Sequence, residues 1–133
     1  MNDEGKALAE RLVAVVGWRK LTGLVSTEGS VFFYERTDLE ENPVGIFITK
    51  GCGEIYARLA DGETIDLDHP SNEGHLRLLA EEVCGGPTDL LYVRGSWIVR
   101  LSKAQDGFHQ LLGIEATRGQ ALAAAIVAAK EQG

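Results

Sequence analysis

Cysteine is scarce in this chain: Cys52 and Cys84 stand alone, and neither has a second cysteine or a histidine at zinc-finger spacing. That excludes a disulfide-stapled secreted module and a zinc ribbon, and leaves a reduced pair as the ordinary reading. Long apolar runs are missing as well. No segment reaches the roughly 18 consecutive apolar residues of a membrane span. The N-terminus, Met1-Asn2-Asp3-Glu4-Gly5-Lys6, is acidic and leads into helix-periodic sequence, so it reads as neither a secretory signal nor an Arg-rich transit peptide. The expectation is a cytoplasmic protein that does not associate with membranes.

Basic residues are the minority charge, with 13 Lys and Arg against 20 Asp and Glu, for a net charge of −7. The imbalance is local. Residues 35–82 hold twelve acidic against four basic residues, residues 1–34 hold four of each, and residues 83–133 hold four against five. Duplex binding depends on clustered Lys and Arg that neutralise phosphates, so nucleic acid is excluded as an expected partner. Phosphate-cradling glycine fingerprints are also lacking. The glycines of 51–53 and 85–86 have neither G-x-G-x-x-G nor G-x-x-x-x-G-K-[ST] spacing. There is no G-x-S-x-G elbow and no His-x-x-x-His pair, so no cofactor is expected and enzyme activity has no positive support.

What is present is a patterned chain of 133 residues, 44% apolar and 25% charged, enough for one α+β domain over 1–133 with its own core. Leu8, Leu12, Val15 and Val16 recur at helical spacing, and Gly17 is placed as a left-handed cap. Short β-type runs follow at 21–26, 31–35, 44–49, 54–59 and 64–67, punctuated by Glu28-Gly29, an acidic loop from Asp38 to Pro43, and Asp61-Gly62. A second helix is expected after Pro70, capped by Ser71 or Asn72. Its apolar stripe is Leu76, Leu79, Ala80 and Val83, and Glu73, Arg77 and Glu81 face water.

Gly85-Gly86-Pro87 ends that helix. Two strands, 90–94 and 97–101, then flank Gly95-Ser96 as a two-residue loop, which pairs Arg94 with Trp97, Tyr92 with Val99 and Leu90 with Leu101. A further strand spans 111–115. The last helix opens on Thr117 with Gln120 three residues on, the capping-box pattern, and its core stripe is Leu122, Ile126 and Ala129. The expected fold is an antiparallel or mixed sheet covered by three helices.

Three stretches carry a family likeness. Leu8-Ala9-Glu10-Arg11-Leu12 runs into Gly17-Trp18-Arg19. His75-Leu76 precedes Leu79-Ala80-Glu81-Glu82-Val83. Ser96-Trp97-Ile98-Val99 leads through Glu115-Ala116-Thr117 to Ala121-Leu122-Ala123-Ala124-Ala125-Ile126. Together they cover little more than half the chain, and it resembles the phage ABA sandwich domain. The resemblance implies a sheet between helices and an accessory protein of a phage, prophage or other mobile element. It brings no catalytic residue.

Three constellations invite chemistry. Asp66, Asp68 and His69 place two carboxylates on one side of a strand beside an imidazole, a partial divalent-ion site; the plainer expectation buries Ile65 and Leu67, turns the carboxylates to solvent and assigns no metal. Cys52, between glycines and after Lys50, has the exposure and positive neighbour a nucleophile needs, and no histidine tied to it. Trp97, with Arg94 and Tyr92 nearby, is of the type found at recognition hot spots, though such residues also simply finish hairpins.

The expectation is a non-enzymatic protein-interaction or accessory domain whose partner is a protein, a second copy of the chain (a homodimer) included. Two alternatives stay open: a small-ligand domain with a pocket lined by Phe33, Tyr34, Phe47 and Tyr56, and a Cys52-dependent enzyme.

Overall fold

A computed structural model describes residues 2–37, 43–49, 63–101 and 111–132. Helix α1 spans Asp3–Val16, and a 3-10 turn follows at Trp18–Leu21. Strands β1 (Val31–Thr37) and β2 (Pro43–Thr49) pair antiparallel, with Val31 opposite Thr49. Helix α2 is Pro70–Cys84. Strands β3 (Thr88–Val93), β4 (Ser96–Leu101) and β5 (Leu111–Glu115) form an antiparallel sheet in that order, and α3 (Arg118–Gln132) ends the described chain. The architecture is α+β, as expected. The runs at 54–59 and the Asp61-Gly62 turn lie outside the described residues.

Helix α3 occupies the centre. It packs on β4 and β5 with one side, while α1 and α2 pack on it from elsewhere. Ala121, Leu122, Ala123, Ala125, Ile126 and Val127 are all buried, so the expected single stripe becomes a helix enclosed on most of its circumference, and Ala129 is only half-buried. Alanine suits this position because it lets neighbouring backbones approach.

Two glycines take that approach to its limit. A Cβ at Gly113 of β5 would lie 2.3 Å from the Ala121 carbonyl oxygen, and one at Gly119 would lie 1.6 Å from the Leu67 carbonyl oxygen. The helix is therefore seated directly on the sheet at one point and on the 63–68 segment at another.

The expected strand at 21–26 is not formed. Leu21 ends the 3-10 turn, and only Val25 and Ser26 make isolated bridges, to Val31 and Ile65. A polar side chain takes over the pairing there. Asn72, expected as a helix cap, is fully buried. Its Oδ1 accepts from Val25 N at 2.8 Å, and its Nδ2 donates to Val25 O at 2.9 Å and Asp66 O at 2.8 Å. The amide thus acts as a neighbouring strand would, joining 25 and 66 to α2.

The α2 cap moves to His69, whose Nδ1 accepts from Ser71 N at 3.2 Å. Pro70 at the first helical position places the cap one residue ahead of it. The polar series of α2 does not simply face water either. Thr88 N donates to Glu81 Oε2 and Arg77 Nη2 donates to Thr88 O, each at 2.7 Å, so both backbone groups of Thr88 are held by α2.

The turn is centred one residue earlier than expected, so the β3–β4 register differs by two residues from the expected one. Tyr92 lies opposite Trp97, Leu90 opposite Val99 and Thr88 opposite Leu101. The turn residues are Arg94 and Gly95, with φ of 51° and 84°. Positive φ at both central positions is the type I′ geometry whose twist matches a hairpin, so glycine is needed at the second position and Arg94 accepts the left-handed conformation at the first.

Asn72→Ala leaves the Val25 N–H without its acceptor, while Val25 O keeps Asp66 N and Asp66 O keeps His69 N, and is expected to lower unfolding free energy by about 2 kcal/mol. Gly119→Ala forces backbone apart and should cost at least as much, about 3 kcal/mol. Urea denaturation followed by circular dichroism checks both.

Candidate functional site

The three-stranded sheet organises two surfaces, one on each side. On the helical side, the start of α2, the start of α3 and Trp97 of β4 enclose a cleft of about 340 Å³, lined among others by Asp68, His69, Glu73, Trp97, Thr117 and Arg118. Three of the residues singled out in the sequence thus meet: Asp68, His69 and Trp97. Another of them, Tyr92, stacks beside Trp97 with ring centroids 5.2 Å apart at 53°, and is itself exposed. Arg94 sits apart in the exposed turn. It is Arg118, unremarked in the sequence, that lies over the Trp97 ring, 4.9 Å from its centroid.

Arg118 also ties the two helix starts together, with Nε 2.5 Å from Glu73 Oε1 in an ion-pair contact without hydrogen-bond direction. Both side chains are about 40% exposed, 42% and 35%, so solvent screens the pair and its contribution is below about 1 kcal/mol. The stack on Trp97 adds a similar amount, roughly 0.5–1 kcal/mol at an exposed site.

The polar atoms of the other candidates are already engaged. Asp68 Oδ1 accepts from Thr117 Oγ1 at 2.6 Å and from Gln120 Nε2 at 3.2 Å. Thr117 Oγ1 in turn accepts from Gln120 N at 3.2 Å. The cap foreseen at Thr117 is present, but Gln120 reaches Asp68 instead of turning back to the cap residue. A carboxylate at this place also suits the partial positive charge of the α3 N-terminus.

Asp66 Oδ1 accepts from Asp68 N at 3.1 Å. His69 Nδ1 is spent on Ser71 N. Asp66 and His69 therefore each serve a local bond, Asp68 bonds Thr117 and Gln120 at the start of α3, and no group of three or more His, Cys, Asp or Glu side chains converges among the described residues. Ile65 and Leu67 are buried between them, in the alternation expected.

Cys52 lies outside the described residues, as does Tyr56; of Phe33, Tyr34 and Phe47 only the backbone is described. Cys84, at the end of α2, is half-buried with Sγ 3.9 Å from Ala125 O, and burial pushes its thiol pKa up. A raised pKa means less thiolate near neutral pH, the reverse of what a nucleophile needs.

The second surface is the sheet face turned away from α3. Thr88, Leu90, Trp97, Val99 and Gly113 share the helix side, so alternation assigns Leu91, Val93, Ile98 and Ile114 to the other. Val93 is 45% and Ile114 50% exposed, while Leu91 and Ile98 are half-buried between them. Leu91 lies opposite Ile98, and Ile98 opposite Ile114, making one apolar row across three strands. Beside it, Asp89 and Arg100 are paired across β3 and β4, with Arg100 Nε 3.6 Å from Asp89 Oδ2.

Among the described residues α3 covers the other face, and no helix lies over this one. A Gly95-Ser96 turn and an Arg94-Gly95 turn put the same side chains on it, since the two registers differ by two residues.

Comparison with protein-family models, curated proteins and solved structures gives no match. Function therefore has to be argued from the two surfaces. No described helix is long and apolar enough to cross a membrane.

In a Cys52→Ser background, alkylation of Cys84 by iodoacetamide should be slower than that of a free cysteine at every pH below the thiol's own pKa. The rate-against-pH midpoint should be displaced upward. Ellman titration of the residual thiol measures it.

Proposed function

We propose that this chain is a non-enzymatic interaction domain whose contact surface is the face of the β3–β4–β5 sheet turned away from α3. The observation that carries the reading is the continuous row Leu91, Ile98 and Ile114, with Val93 beside it, on a face that no described helix covers. Isolated exposed apolar residues are ordinary, whereas a connected row across three strands marks a surface made to be covered. The partner is a protein. Engagement of Asp68 and His69 in capping bonds favours a structural over a catalytic role for the cleft.

The likeness to the phage ABA sandwich domain supports placing the chain among accessory proteins of phages, prophages or other mobile elements. A sandwich has helices on both faces of its sheet. Here a partner would supply the second layer.

A second reading has its own observation. The 340 Å³ cleft with Trp97 at its wall falls at the lower end of the size range of small-molecule sites. Trp97→Ala should abolish a ligand-induced thermal shift in a metabolite screen if that reading holds, and leave it unchanged otherwise.

For the first reading, Val93→Lys and Ile114→Lys should change unfolding free energy by less than about 0.5 kcal/mol, since both side chains are largely exposed. The same variants should abolish complexes with the products of neighbouring genes in co-expression and size-exclusion experiments. Complexes that survive both substitutions would sink the proposal.

A further inference from the structure

We infer that the occupant of the sheet face that no described helix covers is a second copy of this chain, related by a two-fold axis parallel to the strands and lying between β3 and β4. This rests on the interaction reading above and names its partner. The inference comes from how charge is placed on the face. Asp89 and Arg100 lie directly opposite each other across β3 and β4, as do Leu91 and Ile98, and Val93 and Ser96.

A two-fold axis midway between these strands carries each residue onto the position facing its own cross-strand neighbour. Asp89 of one copy then faces Arg100 of the other, and the reverse contact follows by symmetry. Leu91 faces Ile98 in the same way, twice. The other two-fold arrangements are worse. An axis along β4 stacks Arg100 on Arg100, and an axis across the strands buries the charged pair against Val93 and Ser96.

Two further facts agree with this choice. The Arg100 side chain is 28% exposed and its one ion-pair contact among the described residues is the 3.6 Å approach to Asp89, so the exposed part of the guanidinium has donor capacity for a second carboxylate. And the acidic excess belongs to residues 35–82, while residues 83–133, which contain this sheet, carry four acidic against five basic side chains. Two copies can therefore meet here without the repulsion their net charge of −7 would impose elsewhere.

Face-to-face sheets pack about 10 Å apart with strands within about 30° of each other, a separation that side chains of Leu, Ile and Arg bridge. Three strands of five or six residues present a face of roughly 14 by 20 Å, well under the ~800 Å² per partner of a standard interface. The dimer is therefore weak and concentration-dependent.

Charge-swapped variants test this. In sedimentation velocity over a concentration series up to roughly millimolar, the wild type should shift from monomer to dimer with a dissociation constant in the micromolar range or above. Asp89→Arg and Arg100→Asp should each stay monomeric, because like charges then face each other. An equimolar mixture of the two should associate at least as well as wild type. The double variant D89R/R100D, which keeps opposite charges face to face, should also dimerise. If either single variant fails to fold by circular dichroism, Ile98→Glu serves as the monomeric comparison for the double variant.

A wild type that stays monomeric throughout would overturn the inference while leaving open the complexes with other gene products. A wild-type dimer that persists in both single variants, or in Ile98→Glu, would overturn it by assigning the dimer to another surface.

Discussion

The seat of helix α3 is the constraint on which the rest of the structure depends. Its backbone touches the sheet at Gly113 and the 63–68 segment at Gly119, both at distances no side chain allows. Close packing of this kind is stiff, because neither contact can relax by turning a rotamer. Everything at the start of α3 inherits that stiffness. Thr117 and Gln120 are brought to Asp68, Arg118 is laid over Trp97, and the cleft exists because the glycine contact draws two helix starts together. On the other side, Asn72 binds Val25 and the backbone of Asp66 to α2, so the segment beneath Gly119 is itself held.

This packing divides the sheet's two faces into different tasks. The face under α3 is committed to the core through Val99, with Leu90 and Trp97 packed against it. The opposite face keeps an apolar row with no described element above it. A titratable cluster in the cleft would ordinarily raise the idea of catalysis. Here Asp66, Asp68 and His69 each hold a backbone amide, a hydroxyl or a side-chain amide through at least one polar atom, so the residues with the most reactive chemistry do structural work. The residues with the least chemistry, Leu91, Ile98 and Ile114, are the ones left facing outward.

Local signals in the sequence were the most legible. Helical spacing found α1 and the buried stripe of α2, Gly17 was found with positive φ at the end of α1, Thr117 was found at the head of α3, and alternation found Ile65 and Leu67 inside. What could not be read depended on non-local partners. Asn72 next to Pro70 has the composition of a cap, and only the arrival of Val25, 47 positions away, makes it a buried clamp.

The hairpin register turned on whether Arg94 or Ser96 shares the loop with Gly95, and an arginine at positive φ is the less usual choice. Moving the turn back by one residue slides the pairing by two, which keeps every side chain on its own face yet changes every cross-strand partner. Asp68, His69 and Trp97 were each visible as candidates. That they line one cleft follows from where α3 is seated, which no spacing reveals.

The clamp at Asn72 also bears on the order of assembly. From Pro70 to Gln132 the elements α2, β3, β4, β5 and α3 contact one another within a stretch of about half the chain, and the hairpin closes over a two-residue loop. Joining residue 25 to residue 72, or Arg11 to Glu131 across 120 positions, requires closing far longer loops. Loop entropy makes the short closures early and the long ones late. A chain emerging from N- to C-terminus must therefore hold α1 without its partner until α3 has been made, whereas the Val25 segment waits only for Asp66 and Asn72. The amide of Asn72 then works as a latch whose two sides are both made before the central helix emerges.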